Sequence, residues 1–338
     1  MRIVGIILFM LLLANTLDDV IDYKEVRIHE EKFEDTNAQR KLEEKTNYVT
    51  LILNQDYSFT IKKKNIIEKI IINNGEPENL EKEIKVTKDT EIQIHFNATL
   101  SDCSKFFEDI NENIKDKIVS VDLSKFDSSN LEIISSMFSR CSSLKSINLL
   151  NLDTSKVKSL GYLFYGCSSL EKVNLTKLNT SLVTNMDYLF FGCSALEKVD
   201  LSKFNTSNLI YMNSLFEGCS SLKEVDLSNF NTSFVTYMPN LFFRCSSLEK
   251  VNLSKLNTSL VTNMDNLFSH CSTLEKVDLS EFNTSNLKSM TALFEMCSSL
   301  KEVDLSNFNT SLVTYMPSLF SGCASLEKVN LSKLNTSV

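Results

Sequence analysis

Hydrophobic positions recur along most of the chain with a fixed 26-residue period. In the copy from Cys167 to Gly192, the apolar residues Leu170, Val173 and Leu175 come first. Side chains alternate between the two faces of a strand, so the Val-x-Leu spacing predicts a strand with these residues on its inner face. The polar residues between them then face outward. Eight stacked copies predict a parallel sheet about 40 Å long, at about 4.8 Å per strand.

The second half of each copy has a different spacing. From Val183 onward, apolar residues follow at intervals of three, three and one, which predicts a short helix. Thr184 is placed as its N-cap, with Asp187 three residues later. We call the equivalent positions of successive copies a column. Pro239 and Pro317 stand in the same column as Asp187, in the first turn of the predicted helix, where a missing N–H is tolerated. Each copy is therefore predicted to be a strand, a turn and a short helix that covers the inner side of the sheet.

A fixed period of this size indicates stacked coils, which form a solenoid. The chain divides into four parts. Residues 1–17 have one positive charge and then an apolar run of about eleven residues, which predicts a secretory signal peptide. Residues 18–46 are acidic and polar and predict a linker. Residues 47–114 predict a β-rich leader that caps the array, and residues 115–338 hold the 26-residue repeats, the last one incomplete.

The leader shows strand patterns and one clear turn. Strands are predicted near 49–53, 57–61 and 92–96 from alternating or β-branched residues. The apolar positions between Ile66 and Ile72 fit a helix or a strand. The turn is predicted at 74–77, which reads Asn-Gly-Glu-Pro.

Cysteine marks the period. It stands at the same place in each copy, where a column of small buried thiols is predicted rather than a disulfide or metal ladder. Secretion favours disulfides, so the pairing state stays open. The structural thiols are Cys141, Cys167, Cys193, Cys219, Cys245, Cys271, Cys297 and Cys323.

Charge excludes one class of partner. The formal net charge is −8, of which residues 1–114 carry −7 and the rest −1. A nearly neutral repeat array lacks the basic stripe of a nucleic-acid-binding protein. The N-terminal apolar run is too short to span a membrane, and no second apolar stretch of that length exists. We therefore expect no nucleic-acid partner and no membrane span in the mature chain.

Signals of catalysis are absent from the sequence. There is no Gly-x-Ser-x-Gly, no phosphate-binding loop and no His-Glu-x-x-His, and the three histidines are scattered. The repeated carboxylates form surface columns rather than a converging pair. We expect no enzyme activity, no cofactor and no metal site.

The outward strand columns are the candidate binding surface, as in other solenoids. The alternative is a solvated face laced with Lys–Asp pairs. Tyr211, Tyr237 and Tyr315, expected on the helix side, are a further alternative. The candidate ligand-binding residues on the sheet face are Lys172, Asn174, Lys198, Asp200, Glu224, Asp226, Lys250, Asn252, Lys276, Asp278, Glu302 and Asp304.

Asn-x-Ser/Thr sequences recur in the turn after each strand. On a secreted eukaryotic protein they would be glycan acceptors. Asn-Thr-Ser is also ordinary turn chemistry repeated by duplication. The candidate acceptors are Asn97, Asn179, Asn205, Asn231, Asn257, Asn283 and Asn309.

One sequence motif of the repeats resembles a known protein family. Residues 215–238 and 293–316 read Leu-Phe-x-x-Cys-Ser-Ser-Leu-x-x-Val-x-Leu-Ser-x-Phe-Asn-Thr-Ser-x-Val-Thr-x-Met. This resembles BspA-like leucine-rich-repeat surface proteins over roughly 120–338. The resemblance implies a leucine-rich-repeat solenoid, display at the cell surface and adhesion to host or matrix proteins. The chain departs from the ordinary repeat where Leu178 or Phe204 replaces the asparagine of the turn.

These observations predict a secreted, extracellular or surface-displayed protein that mediates protein–protein interaction through the sheet face. Its partner would be a host protein, a matrix protein or another copy of the chain. One rival is a self-assembling coat or matrix protein, because the sequence stops in mid-coil at Val338 and would leave a strand edge for end-to-end association. A second rival is a glycan-binding scaffold that uses a ladder of Thr and Ser hydroxyls.

Overall fold

The computed structural model describes residues 47–111, 113–332 and 334. The predicted signal peptide and acidic linker lie outside the described residues. The elements are β1 (Tyr48–Leu53), β2 (Tyr57–Phe59), β3 (Ile67–Ile72), β4 (Ile84–Val86), β5 (Glu91–Phe96), α1 (Phe106–Ile110), a 3-10 turn (Lys115–Lys117), β6 (Ile118–Asp122), β7 (Ser146–Asn148), β8 (Glu224–Asp226), β9 (Lys250–Asn252), β10 (Glu302–Asp304) and β11 (Lys328–Asn330).

The leader and the repeat array share one sheet of order β3-β5-β1-β6-β7. Strand β1 is antiparallel to both β5 and β6, whereas β6 is parallel to β7. The chain between 66 and 72 is a strand, and a tight turn follows it, closed by a bond from the Gly75 N–H to the Ile72 carbonyl. The sheet of the leader therefore runs directly into the first repeat through β6.

The segment before β6 covers the first coil. The Cys103 N–H donates to the carbonyl of Ile133, 2.8 Å away, in that coil. The ring of Phe107 in α1 lies 5.8 Å from the ring of Phe138. Both rings are fully buried. Without α1 and its flanks the first coil would expose its apolar end.

Successive coils lie in register, and each residue pairs with its equivalent in the next copy. Val225 pairs with Val251, and Val303 with Val329, both in parallel. Strands β7 to β11 have only three residues each, and residues 172–174 and 198–200 lie outside the assigned strands. The predicted parallel sheet is therefore present as short in-register patches.

The predicted helices of the array are wrong. We call residues 184–192, and the equivalent residues of the other copies, the back segment. In the described part of the array these segments are turns, and no helix is assigned to them. Alternate N–H groups donate to the following coil, as from Phe190 to the Leu215 carbonyl at 3.0 Å, instead of to a carbonyl four residues back. The fold is a repeat fold made of sheet patches and turns.

The residues assigned to helix ends have other roles. Thr184 donates to the Lys158 carbonyl of the preceding coil, through its N–H and its hydroxyl. Asp187 accepts the Asn213 N–H of the next coil at 2.7 Å. In this column the N–H bonds to the asparagine two residues before it at Asp187 and Asp265, and to the aspartate of the preceding coil at Asn213 and Thr291. None of these N–H groups bonds to a backbone carbonyl of another coil, so proline in this column removes no backbone bond between coils.

The back segment requires left-handed backbone at two positions in each coil. Gly192 has φ 68° and Tyr188 has φ 57°. In other coils the glycine column holds Arg244 or His270, also at positive φ. In this backbone the N–H groups of Tyr188, Phe190 and Gly192 donate to the following coil, whereas those of the residues between them donate to the carbonyl three residues earlier in the same coil. Glycine adopts this conformation without the cost that a Cβ adds.

Apolar ladders run through the centre of the stack. The rings of Phe190 and Phe216 lie 5.7 Å apart and are nearly parallel, with an interplanar angle of 2°. The same contact repeats between neighbouring coils from Phe138 to Phe320. Burial of such side chains stabilises each by about 1.5–3 kcal/mol relative to exposure. Every coil therefore depends on its neighbours for its core.

A threonine ladder closes the turn after each strand. Thr258 is 1% exposed. Its hydroxyl donates to the Asn283 carbonyl at 3.1 Å and accepts the Asn283 N–H at 2.8 Å. Thr154, Thr180 and Thr284 make the same two bonds to the next coil. In these turns a threonine hydroxyl bridges the coils, while Leu178 and its phenylalanine equivalents are buried beside it.

Candidate functional site

The outward side of the strand patches forms a polar groove. Its floor is the Val column, including Val199 and Val225. One side, the lysine wall, consists of Lys172, Lys198, Glu224, Lys250, Lys276, Glu302 and Lys328. The other side, the aspartate wall, consists of Asn174, Asp200, Asp226, Asn252, Asp278, Asp304 and Asn330. All these side chains are exposed.

The groove widens into two concavities of similar size. The upstream groove, from Lys172 to Asn252, has a volume of about 630 Å³. The downstream groove, from Glu249 to Asn330, has a volume of about 650 Å³. Eleven of the twelve residues predicted for the sheet face line one or both grooves, and Asn174 does not. The structure adds Glu249, Lys328 and Asn330 to this set.

Local turn chemistry positions the aspartate wall. The Oδ1 atom of Asp200 accepts the Ser202 N–H at 2.9 Å, at the start of the turn that follows. Bonds from the Ser202 hydroxyl and N–H hold the pKa of the Asp200 carboxyl below its usual value. Serine at the same spacing lowers the pKa of Asp226, Asp278 and Asp304. The four carboxylates are therefore ionised at neutral pH.

The lysine and aspartate walls do not neutralise each other. Among the described residues, no salt bridge joins a lysine-wall residue to a carboxylate of the aspartate wall. Within the part of the array that the structure describes, the ion pair that joins two neighbouring coils is Lys301–Glu275 at 2.8 Å, and it lies beside the groove. The Lys–Asp pairs of the alternative are therefore not present on the described part of this face, and a solvated face stays the alternative. The groove presents a positive and a negative wall about 7 Å apart, two residues along a strand.

The thiol column lies inside the stack and not in the groove. Seven of the eight repeat cysteines are buried, Cys323 is half-buried, and no disulfide joins them. From Cys167 onward each thiol donates to the Phe carbonyl 29 residues earlier, as Cys219 does to Phe190 at 3.1 Å. Burial raises the pKa of Cys193 to about 12 and that of Cys219 well above its usual value. These groups are unsuited to metal binding or nucleophilic chemistry.

The turn threonines are excluded from the hydroxyl ladder of the glycan-binding rival. The hydroxyls of Thr154, Thr180, Thr258 and Thr284 are buried and engaged in both directions by the next coil. They have no exposed surface with which to bind a sugar.

The candidate glycan acceptors of the turns are exposed. Asn179 accepts the Ser181 N–H at 3.0 Å through Oδ1, and the other turn asparagines repeat this bond. The side-chain amide of Asn97 donates to the Asn65 carbonyl at 2.8 Å. The acceptors remain a prediction, and the turn bond accounts for the repeated asparagine by itself.

The structure shows aromatic surfaces that the periodicity did not indicate. The rings of Tyr162 and Tyr188 stack at 4.7 Å on the back segment. Phe234 is 56% exposed at the edge of a turn. Tyr211 and Tyr237 are also exposed on the back side. The sequence does mark Tyr162 and Tyr188 in one way: each is a large aromatic residue at a repeat position that holds Ser, Asn or Ala in the other copies.

A family model matches the array three times, over residues 101–223, 162–276 and 238–338. Its description is "Mycoplasma protein of unknown function, DUF285". The chain belongs to this family. The three overlapping matches follow the repeated units, and together they extend from the segment before the first coil to the end of the sequence.

Comparisons with curated proteins and with solved structures give less information about the chain. No curated protein matches the sequence. The chain is similar to the crystal structure of a leucine-rich repeat protein from Eubacterium ventriosum, with 19% sequence identity and a TM-score of 0.33. That match covers 62% of this chain and 44% of the other, so it spans less than half the length of the solved protein. The resemblance to BspA-like proteins in particular stays a prediction.

Within the part of the chain that the structure describes, no helix is both long and apolar enough to cross a membrane.

Proposed function

We propose that this chain is a non-enzymatic interaction protein that binds another protein through the sheet groove. The observation that carries the proposal is the row of exposed charges on both walls without pairing between them. Unpaired charges of both signs at a concave surface provide electrostatic complementarity, which gives specificity and speeds association. The buried thiols and threonines are excluded from this role.

The location that suits such a protein is the cell exterior. The N-terminal sequence favours secretion, and the repeat phrase favours surface display. The partner is then a host or matrix protein, or another copy of the chain. Binding of a partner along many coils would add small contacts, so affinity should rise with the number of coils engaged.

Affinity capture with two matched variants tests the proposal. The groove variant carries Lys198→Ser, Asp200→Asn and Asp226→Asn, and the back variant carries Tyr211→Ser, Tyr237→Asn and Phe234→Leu. Each new residue already occupies the same column elsewhere in the array, so both variants should fold. Partners captured from extracellular protein by the wild type should be retained by the back variant and reduced at least about tenfold by the groove variant. Equal retention by the groove variant would move the site off the sheet face.

A further inference from the structure

The two grooves are copies of one site. The array contains a longer 78-residue repeat, and every residue that lines the upstream groove has an identical residue 78 positions later in the downstream groove. Lys172, Lys198 and Glu224 correspond in this way to Lys250, Lys276 and Glu302. The structure thus presents the same arrangement of charges twice, three coils apart, or about 14 Å at strand spacing.

Differences between the two 78-residue blocks avoid the groove. Residues 167–244 and 245–322 differ at 15 positions, and 11 of these fall among the 27 positions of the back segments. The stretches 171–175, 197–201 and 223–227 contain none. The groove side chains are exposed, whereas in the first block most of the changed back positions are half-buried and only Tyr211 and Arg244 are exposed. Burial therefore does not explain why the groove residues are identical in the two blocks.

Turn chemistry does not explain it either. Asn174 accepts a backbone N–H at 3.1 Å just as Asp200 does at 2.9 Å. Asparagine would therefore serve the turn at every coil, yet both blocks keep the order Asn, Asp, Asp. In the lysine column the first coils hold Ser120 and Ser146, so lysine is not required by the fold. What the blocks retain is the charge pattern.

The charge pattern defines the ligand chemistry. Each three-coil copy offers two lysines on one wall and two aspartates on the other, for example Lys172 and Lys198 facing Asp200 and Asp226. Lys250, which ends the upstream groove, also begins the downstream groove. Glu224 interrupts the lysine wall. A polyanion such as a nucleic acid or acidic glycan would meet the aspartate wall, and a polycation would meet the lysine wall. A ligand with charges of both signs on opposite edges fits.

An extended peptide supplies such edges. Successive side chains of an extended chain point to opposite sides, so a peptide that lies along the groove directs alternate residues to the two walls. Four extended residues span about 14 Å, the length of one copy. Two acidic residues would then face the two lysines, and two basic residues would face the two aspartates.

We propose that the upstream and downstream grooves are equivalent subsites that together bind one extended protein segment of alternating acidic and basic residues. This rests on the proposed function, because it names the kind of partner that the groove takes. A segment of about eight residues fills both subsites. Linking the two binding events in one peptide raises the affinity without any new kind of contact.

Calorimetric titration of the full chain with synthetic, end-blocked peptides tests the inference. The probes are a four-residue and an eight-residue peptide in which aspartate and lysine alternate, and an eight-residue peptide of the same composition with four aspartates followed by four lysines. The alternating eight-residue peptide should bind at least about tenfold more tightly than either of the others. Two copies of the four-residue peptide should bind per chain.

Variants separate the two subsites. Asp200→Asn with Asp226→Asn removes the carboxylates of the upstream groove, and Asp278→Asn with Asp304→Asn removes those of the downstream groove. Either pair should reduce the affinity for the eight-residue peptide to that for the four-residue peptide, equally within about twofold. All four substitutions together should abolish binding. The control, Asp122→Asn with Asp153→Asn, changes two turn-forming aspartates outside the grooves and should have no effect.

Each contrary result identifies what fails. Equal affinity for the alternating and block peptides, or no binding of any peptide, would overturn the ligand chemistry. Loss of binding from one pair alone would overturn the equivalence of the subsites, while the groove would stand as the interaction surface. Unchanged peptide binding in the variant with all four substitutions would remove the sheet groove from the proposed function itself.

Discussion

At the scale of single residues, the threonine after each strand is the most specific feature of the fold. The sequence marks it only as part of an Asn-Thr-Ser turn, which by itself indicates an exposed loop. Thr258 is instead buried and bridges the backbone of the next coil with two hydrogen bonds. The sequence could not show this, because the partner atoms belong to the main chain of another coil.

Replacement of Thr258 by valine should destabilise the array. Valine has the same shape but leaves the buried N–H and carbonyl of Asn283 without their partner, which costs about 1–3 kcal/mol. The free energy of unfolding, measured by urea titration, should fall by this amount. Thr258→Ser, which keeps the hydroxyl, should cost less. Equal losses for valine and serine would mean that the hydroxyl bonds contribute little.

The buried thiols predict alkaline instability. The pKa of Cys141, Cys193 and Cys297 is raised from 9.0 to about 12 by burial. A folded pKa above the unfolded value means that the stabilisation is fully present below about pH 9 and is lost as pH rises toward 12. Each such thiol should lower the free energy of unfolding by about 1.4 kcal/mol per pH unit in that range.

Urea titrations at pH 7, 8, 9 and 10 measure this dependence. The midpoint should be level up to about pH 8.5 and then fall. Cys193→Ala with Cys219→Ala should make the decline shallower, which separates the thiols from the lysines and tyrosines. A decline of the same steepness in that variant would assign it to other groups.

At the scale of elements, the back segment shows how an apolar spacing can mislead. Intervals of three, three and one are typical of a helix, because they gather apolar side chains on one face. A stack of coils satisfies the same spacing differently, since the neighbouring coil accepts the N–H groups. The N–H of Phe190 donates a hydrogen bond to the carbonyl of Leu215, and that of Gly192 to the carbonyl of Glu217, both in the following coil. Such contacts between coils are invisible to local periodicity.

The left-handed position at Gly192 predicts a graded response to substitution. Its φ is 68°, and a Cβ there would make only ordinary contacts, with the nearest atom 3.7 Å away. The cost of a side chain is therefore mainly conformational. Gly192→Val should reduce the free energy of unfolding by about 1–3 kcal/mol, and Gly192→Asn by less, because asparagine tolerates this conformation.

Urea unfolding of the two variants checks this order. Ala195→Gly, three residues later along the chain, is the control for the general cost of a glycine exchange. Equal small losses for valine and asparagine would contradict the assignment of left-handed backbone at this position.

At the scale of the whole molecule, the sequence revealed the period, the in-register stacking and the columns on the sheet face. The Val-x-Leu spacing was sufficient for this, because side-chain alternation along a strand is local. Most of the predicted groove residues, such as Lys198 and Asp200, line a groove. The split into two equal grooves was not predicted, because it depends on the shape of the stacked sheet and not on any single coil.

The central claim is that a partner binds in the sheet groove. Lysine acetylation of the complex, read by mass spectrometry, tests it most directly, because each lysine reports its own exposure. With the captured partner bound, Lys172, Lys198, Lys250 and Lys276 should react several-fold more slowly than in the free chain. Lys156 and Lys288, which are exposed outside the groove, should react at unchanged rates. Protection of Lys156 and Lys288 with unchanged groove lysines would contradict the account.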